Sequence, residues 1–135
     1  MPFVLDCSVT MAWVFADEAT AATDRLRDSL LQDSAVVPPL WPIEVGNVLL
    51  AATRRQRITR DDWARVASAL EALPIVVDDA PLDHVLGSVV LLADEHGLSV
   101  YDGTYLELAV RTKLALATLD KPLARACRAA GAEVT

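Results

Sequence analysis

Phe3-Val4-Leu5-Asp6-Cys7-Ser8 decides the fold: three apolar residues run straight into a carboxylate and then into a stretch with helical character. A short apolar run without helical spacing, ended by a polar residue, is the pattern of a strand buried on both faces. The pattern recurs at Ala35-Val36-Val37, stopped by Pro38-Pro39, at Ile75-Val76-Val77, and at Leu114-Ala115-Leu116-Ala117. The intervening segments place apolar residues three and four apart, as amphipathic helices do. Ser8 to Phe15 predicts a turn or two of helix, and Glu18 to Gln32 a helix burying Ala19, Ala22, Leu26 and Leu30. Pro42, suited to a first helical turn, opens a helix running through Glu44, Val45, Val48 and Leu49 to about Arg55. Thr59 with Asp62 predicts the capped start of a helix that buries Trp63, Val66, Ala67 and Leu70. Leu82, Val85, Leu86, Val89 and Ala93 mark the next, closed by His96-Gly97. A helix from about Thr104 to Thr112, with Thr104 and Glu107 as capping box, and one from Lys121 to Ala130 complete the series. Val134 is a candidate for a fifth, very short strand.

Strands that alternate with helices predict an α/β fold of three layers: a Rossmann-like parallel sheet of four to five short strands with helices on both faces. The 135 residues carry no linker, repeat or composition break, which predicts a single domain over 1–135. At this size the chain exposes roughly 21,000 Å² unfolded and about 7,000 Å² folded, enough burial for one core. A hydrophobic fraction of 53% excludes disorder, while an aromatic fraction of 5% requires a core of Ala, Val and Leu. No stretch is long and apolar enough to cross a membrane, and the first residues lack the basic segment and apolar centre of a signal peptide. These features predict a cytoplasmic protein without membrane association. Cys7 and Cys127 lack metal-site spacing and read as small buried residues.

The net charge of −7 argues against a general nucleic-acid coat. The cations are nevertheless clustered: Arg54, Arg55, Arg57, Arg60 and Arg65 fall close together, and five more lie in the last quarter. The stretch holding Arg54, Arg55 and Arg57 is either a phosphate track or a solvated helix end.

Four carboxylates stand out. Asp6 and Asp120 each follow a strand, at the end where parallel sheets bind ligands; either residue could equally be a helix cap. Glu44 lies in an otherwise apolar first helical turn, where its charge suits the helix dipole. Asp102 precedes Gly103 and could belong to a turn. Asn47, one turn from Glu44, is either a polar core residue or an orienter of that carboxylate. Taken together, convergent carboxylates repel one another unless a cation lies between them. Oxygen donors with few histidines select Mg²⁺ or Mn²⁺ over Zn²⁺, and an acidic site of that kind points to phosphate chemistry.

The local sequences are more specific. Phe3-Val4-Leu5-Asp6-Cys7-Ser8 followed by Trp13, the block from Val37 through Trp41-Pro42-Ile43-Glu44 to Leu49, Tyr101-Asp102-Gly103-Thr104-Tyr105 through Ala109, and Thr118-Leu119-Asp120 with Leu123 occur in order. This series resembles PIN-domain ribonucleases, in particular the VapC toxins. The resemblance implies that Asp6, Glu44, Asp102 and Asp120 form an Mg²⁺ site, with Ser8 and Thr118 as supporting hydroxyls. It implies an endoribonuclease acting on RNA as the toxin of a toxin–antitoxin pair, a VapB-type antitoxin as partner, and dimers of the toxin. Gly103 departs from the Ala common in that family and is expected to loosen the helix start. Asp78, Asp79, Asp94 and Glu95 match no block and read as solvated; His84 and His96 read as structural.

Two competing functions remain. A receiver-type phosphoacceptor module would use Asp78 after Ile75-Val76-Val77, with Thr118 and Lys121 helping, but it leaves Glu44 and Asp102 without a role. An inactive PIN-like interaction module leaves the four acids unexplained.

Overall fold

The computed structural model describes residues 1–135. Four strands, β1 (Phe3–Leu5), β2 (Ala35–Val37), β3 (Ile75–Val77) and β4 (Ala115–Ala117), form one parallel sheet in the order β3-β2-β1-β4. Phe3 pairs with Ala35 on one side and with Ala115 on the other. The chain therefore winds outward from β1 to β3, then returns to lay β4 along the free side of β1. The winding direction reverses at β1, so a crevice is expected beyond the carboxyl ends of β1 and β4. The expected fifth strand is only a single bridge between Val134 and Leu116, because one residue of the tail reaches the edge of β4.

Eight helices flank the sheet: α1 (Cys7–Val14), α2 (Ala21–Ser29), α3 (Leu40–Arg54), α4 (Asp61–Glu71), α5 (Leu82–His84), α6 (Val90–His96), α7 (Val100–Thr112) and α8 (Lys121–Ala129). The predicted α/β architecture stands, with changes at several boundaries. The helix expected over Glu18 to Gln32 is shorter, because Thr20 and Thr23 form a reciprocal capping box that starts α2 at Ala21. Its face is altered too: Thr23 is buried while Ala19 and Ala22 are exposed. At Thr59 only half the box forms, with the Thr59 amide donating to Asp62 at 2.9 Å, and Ala67 faces solvent. The helix predicted from Leu82 to His96 is interrupted by a π-helical turn, Val85–Val89, and ends as expected at Gly97 in the left-handed region, φ 65°.

The largest boundary change is α7, which begins at Val100 rather than near Thr104. Ser99 is its cap, accepting from the Asp102 amide at 3.1 Å. The capping box expected of Thr104 and Glu107 does not form: Thr104 donates to the Tyr101 carbonyl, and Glu107 is buried and bound by Arg111 at 2.7 Å. Asp102 thus sits in the first turn of a helix, not in a free turn. Helix α7 packs on β1 and β4 and is deeply anchored, with Tyr105, Leu106, Leu108 and Ala109 all essentially inaccessible. Gly103 lies against α6: a Cβ there would come within 3.0 Å of the Ala93 Cβ and 3.3 Å of the Val89 carbonyl. The glycine therefore serves close helix packing, and it stands inside α7 rather than at the helix start.

Asp78 is not solvated. Arg111 binds it at 2.6 Å, and its side chain is 19% exposed. The sheet order also separates it from Thr118, since β3 and β4 are opposite edge strands, three strand spacings or roughly 14 Å apart. That distance breaks the phosphoacceptor constellation.

Candidate active site

Each of the four acids is placed by a different element. Asp6 directly follows β1, and its amide donates to the Ala117 carbonyl at 3.0 Å, continuing the β1–β4 ladder by one residue. That bond sets Asp6 beside Thr118, which donates to Asp6 Oδ2 at 2.6 Å. Ser8, in the first turn of α1, donates to the same oxygen at 2.8 Å. Ser8 and Thr118 in turn accept the amides of Leu119 at 2.9 Å and Asp120 at 3.0 Å. Two hydroxyls thus tie the β1 end to the β4 end and fix the Asp6 carboxylate between them. Asp120 caps α8 by accepting the Leu123 amide through Oδ1 at 2.9 Å, so its capping role is real. A carboxylate has a second oxygen and further lone pairs, so a cap does not exclude a ligand.

Glu44 comes from the first turns of α3 and Asp102 from the first turn of α7. The phenol of Tyr105 donates to Glu44 Oε1. Behind the acids, Trp41 donates from Nε1 to Thr10 Oγ1 at 2.9 Å, and Thr10 donates to the Asp6 carbonyl at 3.3 Å. Both residues are buried, so this chain of bonds pins α3 to α1 just below the site. Neither Tyr105 nor the Trp41–Thr10 pair is singled out by the sequence patterns. Trp41 and Tyr105 both sit inside quoted motifs, but only their partners show what they do.

The electrostatics record the convergence. Burial pushes the Asp6 carboxyl up, Thr118 and Ser8 pull it back, and the Asp120 charge adds to the rise. Glu44 is raised by burial, opposed by the Tyr105 bond, and raised further by Asp6 and Asp102. Asp102 is raised by burial and then by Asp120 and Asp6. Asp6 and Asp102 therefore feel each other or their neighbours Glu44 and Asp120 as like charges. Cys7, beneath them, is pushed up to about 12 by burial and by Glu44 and Asp6, which keeps it a neutral thiol.

The other candidates stand elsewhere. Asn47 is exposed, and Tyr105 rather than Asn47 is the bonding partner of Glu44. Arg54 and Arg55 lie at the far end of α3, ten residues or about 15 Å along the axis from Glu44. Arg57 is committed: it binds Asp17 at 2.7 Å and Glu18 at 2.9 Å, and its guanidinium lies 3.9 Å over the Phe15 ring. It is a local clamp, which removes it from the phosphate-track candidates.

The donors present, four carboxylates with hydroxyls behind them and no histidine among them, fit a hard divalent cation. No three acidic, His or Cys side chains stand close enough together in this structure to hold a metal ion between them. Like charges in a low dielectric hold apart, and an ion that retains part of its water shell spans such gaps.

Comparison with known proteins agrees with the fold. The family model described as the PIN domain matches residues 3–129. A curated protein of Pyrobaculum aerophilum named Exonuclease VapC9 is 36% identical over 83 residues, which is 59% of this chain and 57% of that protein. The match therefore spans little more than half of the relative's length. Among solved structures, PAE2754 from Pyrobaculum aerophilum superposes with a TM-score of 0.71 at 26% identity, over 99% of this chain and 83% of that one. FitAcB from Neisseria gonorrhoeae superposes with a TM-score of 0.62 at 19% identity, over 99% and 96%, a likeness of fold.

Proposed function

This chain belongs to the PIN domain family, and from that premise we propose that it is a divalent-metal-dependent endoribonuclease, the toxin of a toxin–antitoxin pair. The observation that carries the proposal is the charge coupling among Asp6, Glu44, Asp102 and Asp120, which four different elements contribute. Three of these acids are pushed upward partly by the charges of the others. Such repulsion is stored stabilisation for a cation. Asp6, Asp102 and Asp120 would hold Mg²⁺, for which Mn²⁺ substitutes, with Glu44 as ligand or bound through water.

When bound, such an ion polarises a phosphodiester and lowers the pKa of a coordinated water. The chain's own residues supply the rest. Ser8 and Thr118 hold Asp6 in one orientation, so the ligand set is preorganised on the β1–β4 side. Tyr105 restrains Glu44 from below. With no histidine at the acids, proton transfer falls to a carboxylate.

The similar Pyrobaculum protein bears the name exonuclease, so the mode of cleavage needs its own test. A circular single-stranded RNA has no ends. We expect it to be opened in the presence of Mg²⁺ or Mn²⁺ and left intact in EDTA. Cleavage restricted to linear RNA would replace the endonuclease reading by an exonuclease one, and cleavage of DNA alone would overturn the substrate class.

The proposed partners are a VapB-type antitoxin and a second copy of the chain, in the cytoplasm. No helix is long and apolar enough to cross a membrane. An antitoxin that silences four carboxylates does so most simply with an Arg or Lys placed among them, since a guanidinium matches carboxylates in a bidentate fork.

A further inference from the structure

The chain's cations divide once their partners are named. Arg27, Arg57, Arg65 and Arg111 are spent in ion pairs with nearby acids. The other eight make none, and four of these, Arg25, Lys121, Arg125 and Arg128, lie together. Lys121, Arg125 and Arg128 are spaced four and three residues apart along α8, hence on one helix face, and that helix starts right after Asp120. With Thr118, Leu119 and Asp120 they line a cavity of about 420 Å³. A second cavity of about 270 Å³ shares Thr118 and Leu119 and receives Arg25 from α2. The two form one groove past the carboxyl end of β4. Asp120 is the single acidic side chain lining it. In a chain of net charge −7, four uncompensated cations against one acid is a strong local reversal of sign.

We infer that this groove between α2 and α8 is the track for the phosphate backbone of a single-stranded nucleic acid, an inference that rests on the nuclease reading of the adjoining acids. Its position is what such a reading requires. Four carboxylates repel a polyanion, so affinity must come from cations outside the cluster yet adjacent to it. The α8 face begins at one of the acids and leads away from it for about 10 Å. Leu119 stands where the two cavities meet and is 47% exposed. An apolar side chain among cations suits a strand whose bases are unstacked and open to contact, whereas a duplex presents its phosphates and closes its bases. The assignment moves the track from the end of α3 to α8.

The test is binding of a fluorescein-labelled twelve-nucleotide single-stranded RNA by anisotropy, in EDTA, across a salt series. The wild-type chain is expected to bind with a clear salt dependence. The R125Q/R128Q variant should bind roughly tenfold more weakly, with a log–log salt slope shallower by about 1.4, the loss of two phosphate contacts. The K113Q/R65Q variant removes equal charge away from the groove and should bind within about twofold of wild type. Unchanged melting of both variants keeps the comparison about binding. Equal weakening by both variants would reduce the effect to net charge and overturn the track, as would absence of RNA binding by the wild type. Displacement of the RNA by a polyglutamate peptide at matched charge concentration would make the groove an acidic-protein site instead. Groove-dependent binding without cleavage in Mg²⁺ or Mn²⁺ would keep the track and remove the nuclease reading.

Discussion

Asp6 shows how one residue serves opposed demands: burial and the Asp120 charge penalise its ionised form, while Ser8 and Thr118 favour it. Asp6→Asn keeps an oxygen for those two hydroxyls and deletes the charge. Metal-dependent RNA cleavage is expected to fall to background, while melting in EDTA rises by about 3 °C, a gain of about 1 kcal/mol. Undiminished cleavage in metal-replete buffer would remove Asp6 from the site. The same balance sets a pH dependence. Asp6, Glu44 and Asp102 all have folded values above their ordinary ones. Between the unfolded value, about 4, and the raised folded one, the native state binds more protons, so stability in EDTA falls as pH rises through that window. Urea unfolding in EDTA at a series of pH values checks the sign, and the slope should flatten in Asp6→Asn. Tyr105 is the residue that pattern could not disclose. It lies 61 positions from Glu44 and reads from sequence as one more core aromatic. Tyr105→Phe leaves the packing and removes the donor, so apparent Mn²⁺ affinity or cleavage should fall roughly 10–100-fold. Stability should change by no more than about 1 kcal/mol. Unaltered metal titration in Tyr105→Phe would leave the ring a packing residue alone.

At the scale of elements, legibility followed the strength of the local signal. The four strands were readable to within a residue because apolar runs cut by Asp, Pro or Thr leave one solution in a buried parallel sheet. The start of α7 was not, because Leu98-Ser99-Val100 is ambiguous by pattern until Ser99 is seen to accept the Asp102 amide. That four-residue shift matters to the site, since it places Asp102 on a helix clamped to the sheet. The π-helical turn was equally hidden, as no periodicity distinguishes it from an α-helix with an extra residue. Its consequence appears at Gly103, which receives Val89 and Ala93 at close range. Gly103→Ala gains about 1 kcal/mol of helix propensity and meets an overpacking cost of about 1–3 kcal/mol. The net expectation is destabilisation of about 1 kcal/mol. Ala93→Gly should relieve the contact, so a double-mutant cycle is expected to show favourable coupling of at least about 0.5 kcal/mol. Additive behaviour would mean that α6 moves aside without cost.

Across the whole molecule, surface and composition agree that the isolated chain leaves apolar area uncovered. Its accessible surface is 7771 Å², roughly 900 Å² more than a monomer of this mass usually shows and close to one partner's share of a standard interface. Much of the excess apolar character lies on one stretch: Leu82 is 74% exposed, Leu86 65% and Leu91 58%. These residues lie on α5, the π-helical turn and α6, with the edge strand β3 also leaving Val76 and Val77 more than half exposed. The helices are amphipathic by sequence, yet the face that looks like core is divided. Val89 and Ala93 enter the core while Leu82 and Leu86 face outward. Sequence could not make that division, because an apolar position covered by a second subunit is indistinguishable from one buried in its own core. A second copy of the chain is the occupant consistent with the proposed assembly, through an isologous pairing of this face. Leu86→Lys/Leu91→Lys changes two exposed side chains, so the fold should persist and its intrinsic melting change little. Wild-type protein at micromolar concentration should scatter light as a dimer, and the variant as a monomer. Because Asp6 and Asp120 lie beyond β1 and β4, across the sheet from β3, the monomeric variant should still bind Mn²⁺. A wild type that is monomeric at those concentrations, or a variant that remains dimeric, would show that this face is not where two chains meet.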